Sequence, residues 1–419
     1  MIRVYAFLGT MQKQDIIQVV IIGSGFGGIY SYRSLIKAFG KKVRCIIISK
    51  TNHFLFTPML HEAATLGVSD SHLIELVDNI IRNCDSFVQD NVELIDLEQK
   101  FVKTGPKKIS FDYLIIAAGA QTNYHNVPGA KKFAYGLKTY ADLLEIRNRI
   151  VYQFKSATTS SPSHNLHFVI AGGGGTGVEM AAELSEVINT TFESHFGKPI
   201  TNKALVTIVH KGKQLLQDFH PGLRETALNV LTEKGIDVML GRRITKVSDT
   251  EVMLDNGEIL HTGTVIWTAG IKPVAIKTLQ KIKKSAGGHI FINESLQLLD
   301  YPYVFAIGDI ARSSDFATML PARAQVASRQ GNALGEIIKQ FHSKNILLPF
   351  NYKSLGELIS VGEWYGIGTI LGQNIIGRIA WYIRRTVYLL KMISFYKKLR
   401  VSYDWTLRIF YRGGLPNED

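Results

Sequence analysis

The chain has 419 residues, 46% of them hydrophobic and 20% charged, which excludes a disordered protein and leaves room for two or three domains. Its 48 basic and 35 acidic residues give a net charge of +13, a sign that suits nucleic acid, an anionic membrane surface or anionic cofactors. Two cysteines, Cys45 and Cys84, stand in no C-x-x-C spacing, which argues against a disulfide framework, a zinc site and a dithiol redox centre.

Residues 1–15 are too short and too polar for a secretory signal and read as a frayed leader, with Met11 as an alternative start. From 16 to 50 the pattern is strand, glycine turn, helix over 29–39 and strand over 43–49, a βαβ unit. The turn is Gly23-Ser24-Gly25-Phe26-Gly27-Gly28, directly after Val19-Val20-Ile21-Ile22. In such a G-x-G-x-x-G turn the first glycine permits the tight bend and the second lets a pyrophosphate approach the backbone. The third lets helix and strand pack closely. The phosphates then rest on open N–H groups at the helix start. An aromatic loop over 52–68 leads into a helix, 91–97 reads as a strand, and 111–119 reads as a buried strand ending in Ala118-Gly119.

A second fingerprint follows. Leu166-His167-Phe168-Val169-Ile170-Ala171 runs into Gly172-Gly173-Gly174-Gly175-Thr176-Gly177, then a helix over 178–187. An insertion near 195–202 precedes a strand over 204–209, a helix over 221–234 and a strand over 264–268 ending in Ala269-Gly270. The order of fingerprint, second strand and strand ending in Ala-Gly is therefore repeated. The simplest reading is two copies of one mononucleotide-type fold, and a chain holding two dinucleotides passes electrons between them. Where an acid usually takes the ribose hydroxyls, the second copy has His210-Lys211-Gly212-Lys213. The chain then returns to the first domain through 303–309, a buried strand ending in Gly308-Asp309, and a helix over 321–340. Residues 350–374 are glycine-rich and read as a short sheet or loops.

The tail differs in kind. Between 375 and 412 it has nine basic residues and one acid, Asp404, so it carries +8 of the net charge. Ile376, Ile379, Ile383, Val387 and Leu390 recur at helical spacing, while Arg384, Lys391 and Lys398 recur every seven residues on another face. Trp381, Tyr382, Tyr388, Tyr396, Tyr403 and Trp405 supply interfacial aromatics. No stretch approaches the roughly 20 uncharged apolar residues of a spanning helix. A cationic amphipathic helix of this kind lies in the interface of an anionic membrane. Nothing else in the chain supports nucleic-acid binding.

These residues resemble the type II NADH:quinone oxidoreductases, single-subunit flavoproteins bound to a membrane surface. The resemblance runs from about 19 to about 412. It rests on Asn52-His53-Phe54-Leu55-Phe56-Thr57-Pro58-Met59-Leu60, on Gly172–Gly177 with Val178-Glu179, and on Val265-Ile266-Trp267-Thr268-Ala269-Gly270. Ala306-Ile307-Gly308-Asp309, Ala324-Gln325-Val326-Ala327 and the basic aromatic tail complete it. The resemblance implies an α/β architecture of two Rossmann-like dinucleotide-binding domains, for FAD and NAD(P)H, with a C-terminal amphipathic membrane-surface segment. The FAD domain is expected at 16–125 and 290–348, with the NAD(P)H domain inserted at 126–289. Connecting sheet or loops follow at 349–374 and the membrane segment at 375–419.

By the same resemblance, FAD is expected on Gly23, Ser24, Gly25, Phe26, Gly27, Gly28, Ser49, Lys50, Thr57, Pro58, Ala118, Gly119, Gly308, Asp309, Ala324, Gln325 and Val326. Asp309 is expected beside the ribityl and phosphates. NAD(P)H is expected on Gly172, Gly174, Gly175, Thr176, Gly177, Glu179, His210, Lys211, Ala269 and Gly270. Glu179 resembles a glutamate near the nicotinamide and Gln325 lies in the segment beside the isoalloxazine and quinone, so both are candidate catalytic residues. Glu179 also reads as a first-turn acid serving the helix dipole. No metal is expected. The chain departs from the pattern at Ser49-Lys50, where a serine replaces the usual acid, and at Arg329, where the family often has glutamine.

The implied activity is oxidation of NADH, with NADPH left open, through FAD to a membrane quinone without proton pumping. It is expected of a peripheral protein at the cytoplasmic face of the cell (inner) membrane. The quinone species, the kinetic order and the oligomeric state stay open, a homodimer included. Two other readings remain: a soluble reductase of a ferredoxin-like protein, and a non-catalytic FAD/NADH-sensing module.

Overall fold

A computed structural model of the protein describes residues 16–158, 166–314 and 320–410, so the leader and Arg412 lie outside the described residues. The chain divides into two compact units. Unit 1 comprises Met1–Asn52, Val77–Gly119 and Pro273–Asn351, and unit 2 comprises His53–Leu76, Ala120–Lys272 and Tyr352–Asp419. In chain order the helices that shape them are α1 (Phe26–Phe39), α2 (Leu60–Ala64), α3 (Tyr140–Ala157), α4 (Gly175–Val187), α5 (Pro221–Glu233), α6 (Ala324–Lys344), α7 (Arg378–Lys391) and α8 (Phe395–Phe410).

Unit 1 is built on an eight-stranded sheet. Five of its strands, Tyr301–Ala306, Tyr113–Ile116, Ile17–Ile22, Val43–Ser49 and the edge strand Ser86–Gln89, run parallel in that spatial order. Val19, Val20 and Ile21 are fully buried, as continuous apolar runs are in a parallel strand covered on both faces. A small antiparallel sheet of Val92–Asp96, Phe101–Thr104 and Lys107–Ser110 completes the unit.

Unit 2 repeats the plan. Ala134–Gly136, Thr264–Trp267, His167–Ala171, Leu205–His210 and Ile236–Leu240 form a parallel sheet, again with the fingerprint strand between the second strand and the strand ending in Ala-Gly. The doubly wound α/β class expected from sequence is the observed one. The glycine-rich stretch after 350 is an antiparallel meander, Gly356–Ser360, Gly366–Ile370 and Gln373–Gly377. The tail packs on it, because Gly366 lets α7 approach closely: a Cβ there would lie 2.7 Å from the Trp381 nitrogen. The tail is two helices, broken at Met392–Ser394, and not the single one expected. Among the described residues no helix is long and apolar enough to cross a membrane.

Candidate functional site: two glycine turns and a buried ionic cluster

In unit 1 the register sets Ile22 opposite Ile48 and Ile116, and Ile116 opposite Ala306. The segments that follow these strands therefore leave the same edge of the sheet. They carry Gly23–Gly28, Ser49 with Lys50, Ala118 with Gly119, and Gly308 with Asp309, so these expected groups converge. The strand order reverses at Ile17–Ile22, the place where open α/β sheets form a ligand crevice.

The glycines of this turn are needed for different reasons. Gly23 has φ +107°, and a Cβ there would lie 2.4 Å from the Ala117 carbonyl oxygen. A Cβ on Gly28 would lie 1.9 Å from the Gly23 oxygen. Around Gly25 nothing lies within 4 Å. The first and last glycines thus answer to the protein's own packing, whereas the middle one leaves space that no protein atom takes. α1 begins just there, with no side-chain cap and no acid in its first turn, so its N–H groups and positive dipole end are open. This cradle fits a pyrophosphate.

Two further contacts fix the edge. The Ser24 and Ser49 hydroxyls are 2.9 Å apart, and the Gly308 N–H donates to Gln330 Oε1 at 2.8 Å. Ala324, Gln325 and Val326 form the first turn of α6. That helix lies tight on α1: a Cβ on Gly335 would come within 2.2 Å of the Ser34 oxygen, and Ser34 Oγ donates to the Gly331 oxygen at 2.7 Å.

Unit 2 repeats the geometry. A Cβ on Gly172 would lie 2.9 Å from Ala269, one on Gly177 would lie 1.9 Å from the Gly172 oxygen, and Gly174 has nothing within 4 Å. α4 starts at Gly175 without a cap or a first-turn acid. Ala171 faces Val209 and Trp267, so Gly172, His210 and Ala269-Gly270 share one edge. His210 turns inward, its Nδ1 accepting the Gly173 N–H at 3.1 Å. Burial, with Lys211 beside it, lowers its pKa and keeps the ring neutral. Lys211 and Lys213 are exposed. The Arg242 N–H donates to the His210 oxygen at 3.1 Å, which brings a third exposed cation to this strand end.

The third feature of unit 2 is a cluster of buried ions. Arg384 of α7 is 1% exposed. Its Nη1 donates to Glu62 Oε1 at 2.7 Å and its Nη2 lies 2.9 Å from Glu179 Oε1. Its Nε donates to the same Glu179 oxygen at 3.1 Å. Its Nη2 also lies 3.0 Å from His61 Nε2, which can accept the guanidinium N–H. The Trp405 indole of α8 donates to Glu62 Oε2 at 3.2 Å. The Ser360 N–H donates to Glu179 Oε1 at 3.2 Å, and Ser360 Oγ donates to Glu183 Oε1 at 3.3 Å. Burial alone would raise the Glu62 pKa. The charges of Arg384, Arg385 and His61 and the Arg384 hydrogen bond outweigh it and hold the carboxyl at about 2.

The family model of pyridine nucleotide-disulphide oxidoreductases matches residues 17–331. The chain belongs to the pyridine nucleotide-disulphide oxidoreductase family. A probable NADH dehydrogenase of Dictyostelium discoideum is 28% identical over 410 residues, covering 94% of this chain and 90% of the relative. The type II NADH:quinone oxidoreductase Ndh of Mycobacterium tuberculosis is 28% identical over 411 residues, covering 93% and 87%. NDH2 from Plasmodium falciparum, solved in complex with NADH, matches with a TM-score of 0.88 at 22% identity over 96% of this chain and 99% of that one. At that identity the match speaks for the fold.

The family's doubled plan accounts for the two glycine turns but not for the ionic cluster. Arg384 was expected on an exposed cationic face with Lys391 and Lys398. It is instead the most enclosed charge of the tail, while Lys391 and Lys398 are half-buried. The sequence signal was there to read: Trp381, Arg384 and Tyr388 sit at i, i+3 and i+7, a face rich in aromatic carbon. Trp381 stacks on Trp364 with centroids 4.7 Å apart, and the Arg384 guanidinium lies 4.4 Å over the Tyr388 ring. Glu179 is the fifth residue of α4, not a first-turn acid, so the dipole reading gives way to its ion pair. Thr57 and Pro58 lie on a short 3-10 turn of unit 2 that leads into α2. His61, Glu62, Glu183 and Ser360 were not singled out from sequence, because their partners lie more than 170 residues away along the chain.

Asp404, the only acid between 375 and 412, also docks. His72 Nδ1 and Asp404 Oδ2 are 2.7 Å apart, and Lys397 Nζ donates to the Ser71 oxygen at 3.0 Å. The two tail helices leave large apolar and aromatic side chains exposed, Ile379, Tyr382, Leu390, Phe395, Tyr396, Leu399 and Tyr403, with Arg378 and Arg400 exposed on the same helices.

Proposed function

We propose that this protein oxidises NADH through FAD and delivers the electron pair to a membrane quinone, without proton pumping, while attached to the cytoplasmic face of the membrane. The observation that carries the reading is the pair of glycine turns, each open only at its middle glycine and each opposed to an uncapped helix end. The names of the curated relatives, an NADH dehydrogenase and a type II NADH:quinone oxidoreductase, support the substrate pair.

On this reading Gly23–Gly28 and α1 hold the FAD pyrophosphate. Ser49 and Lys50 serve its ribose, Gly308 and Asp309 meet the ribityl and phosphates, and Ala324-Gln325-Val326 flank the ring and the quinone. Thr57, Pro58, Ala118 and Gly119 are assigned to the same cofactor. Gly172, Gly174–Gly177, His210, Lys211, Ala269 and Gly270 hold the nicotinamide nucleotide, with Glu179 beside its reacting end. Bound FAD supplies the two-electron relay between nicotinamide and quinone. The chain's two cysteines, one buried and one exposed, offer no dithiol in C-x-x-C spacing for the electrons to enter, which favours direct transfer to a small acceptor. The exposed apolar face of α7 and α8, rimmed by Arg and Lys, suits the interface of an anionic leaflet where a quinone resides.

Steady-state NADH oxidation with a short-chain quinone tests the reading. Rapid turnover supports it. Turnover only with an iron–sulfur protein acceptor points to a soluble reductase, and none points to a sensing module.

A further inference from the structure

The tail does more than present an apolar face, because Arg384, its one fully buried charge among the described residues, ends on a candidate catalytic carboxylate. Glu179 Oε1 accepts from Arg384 Nε and the Ser360 N–H, and Arg384 Nη2 lies 2.9 Å from it. Glu179 Oε2 takes no hydrogen bond among the described residues, yet it is not one of the sealed unpaired atoms. The two oxygens are therefore unlike. One is fixed by the tail and the meander, and the other is free to meet a ligand or a proton. Glu62 competes for the same guanidinium, but it has a donor from each tail helix, Arg384 and Trp405. The guanidinium thus reaches both carboxylates only while α7 is docked.

We propose that Arg384 is the positioning residue of Glu179, so that docking of the tail on unit 2 sets the orientation and ionisation of the carboxylate at the reacting end of the nucleotide. The inference rests on the reading of Glu179 given above. The groups facing this carboxylate are Arg384 and Tyr388 from α7, His61 and Glu62 from α2, and Glu183 from its own helix. Of these Arg384 is the permanent cation, and it lies nearest, with Nη2 2.9 Å from Glu179 Oε1. Removing that charge leaves Glu179 beside Glu62 and Glu183 without its permanent cation, which favours its protonated form.

The test uses the full-length flavoprotein and four variants: Glu179→Gln, Arg384→Lys, Arg384→Met, and Arg384→Met with Glu62→Gln. The last removes the second buried carboxylate that Arg384 serves, so a folded protein is at hand even where the single variant is unstable. Two quantities are read across pH: kcat for quinone reduction, and the infrared band of a protonated carboxyl assigned by its loss in Glu179→Gln. The expected result is that both Arg384→Met proteins show the carboxyl band, and the acid limb of kcat, at least one pH unit higher. KM for NADH should change less than two-fold, and Arg384→Lys should restore most of the original profile. A uniform loss of kcat with the band and limb unmoved would overturn the proposal and leave Arg384 as scaffolding. If Glu179→Gln keeps the natural kcat and profile, the role of Glu179 itself falls, and this inference with it.

Discussion

Replacing Gly25 by valine separates ligand reasons for a glycine from packing reasons. Gly25 has φ −79° and ψ −166°, extended backbone that a β-branched residue adopts without strain. Nothing lies within 4 Å of a Cβ at this position, so the side chain enters space that the protein leaves empty. Stability of the flavin-free protein should therefore change by no more than about 0.5 kcal/mol. The same three carbons occupy the path of the pyrophosphate. A ligand present at about 100 times its Kd adds about 2.7 kcal/mol to the native state, and all of that should vanish. Gly28→Ala is the contrast: its Cβ would stand 1.9 Å from a carbonyl oxygen, where ordinary contact begins at 3.4 Å. The turn must open, at a cost of about 1–3 kcal/mol or more. The assay is flavin released by acid per mole of protein, with thermal melts before and after added FAD. The Gly25→Val protein should be colourless, should melt with the natural apoprotein and should not respond to FAD. A full flavin complement in that variant would refute the assignment, as would a Gly28→Ala apoprotein as stable as the natural one.

Leu390→Glu with Phe395→Glu changes two side chains that are 71% and 73% exposed, so vesicles containing anionic lipid should lose the protein while its melting temperature holds; co-sedimentation decides. Lysine and arginine on the same helices should make binding weaker as salt rises, since exposed charges are screened over about 8 Å at physiological ionic strength, and a salt-independent partition would contradict this. At the nucleotide end, Lys211, Lys213 and Arg242 with no acid among them favour acceptance of a 2′-phosphate. Lys211→Glu should then lower kcat/KM for NADPH about ten-fold more than for NADH, an equal loss in both arguing for solvated lysines. Glu62 is held at about 2 against an ordinary 4.5, so its stabilising effect is complete above about pH 4.5 and is lost as pH falls toward 2. Melts across that window should slope less in Glu62→Gln, and parallel curves would show that the ion pair is not felt. Gly335→Ala drives a methyl to 2.2 Å from the Ser34 oxygen and should cost about 1–3 kcal/mol by denaturant titration, with normal stability ruling out the close α1–α6 packing.

Much of this was legible in the sequence, and for a physical reason. Glycine turns, apolar strands and the strand ends Ala118-Gly119, Ala269-Gly270 and Gly308-Asp309 are local patterns, so each half-fold could be read from about 30 contiguous residues. The tail's charge and aromatic content were legible too, but its faces were not assigned correctly. Helical spacing shows which residues share a face and not which face is covered. Ile379 and Leu390 look like core residues and are exposed, whereas Arg384 looks like a surface residue and is enclosed. The side of α7 that is buried depends on Glu62 and Glu179, 322 and 205 residues upstream, and no window along the chain contains both ends. The direction of the His210 ring was hidden for a similar reason: it accepts the Gly173 N–H, a partner that only the folded turn brings to it.

The middle glycines imply a pattern of mutational decay. Gly23, Gly28, Gly172 and Gly177 are held by clashes inside the protein, so any descendant that still folds must keep them small. Gly25 and Gly174 have no such anchor. A lineage that dropped one nucleotide but kept the scaffold would fill the matching position first, and would do so without loss of fold. A library scored once for expression and once for flavin retention would therefore tell the two apart: both Gly25 and Gly174 are permissive in the first score, and only Gly25 is intolerant in the second.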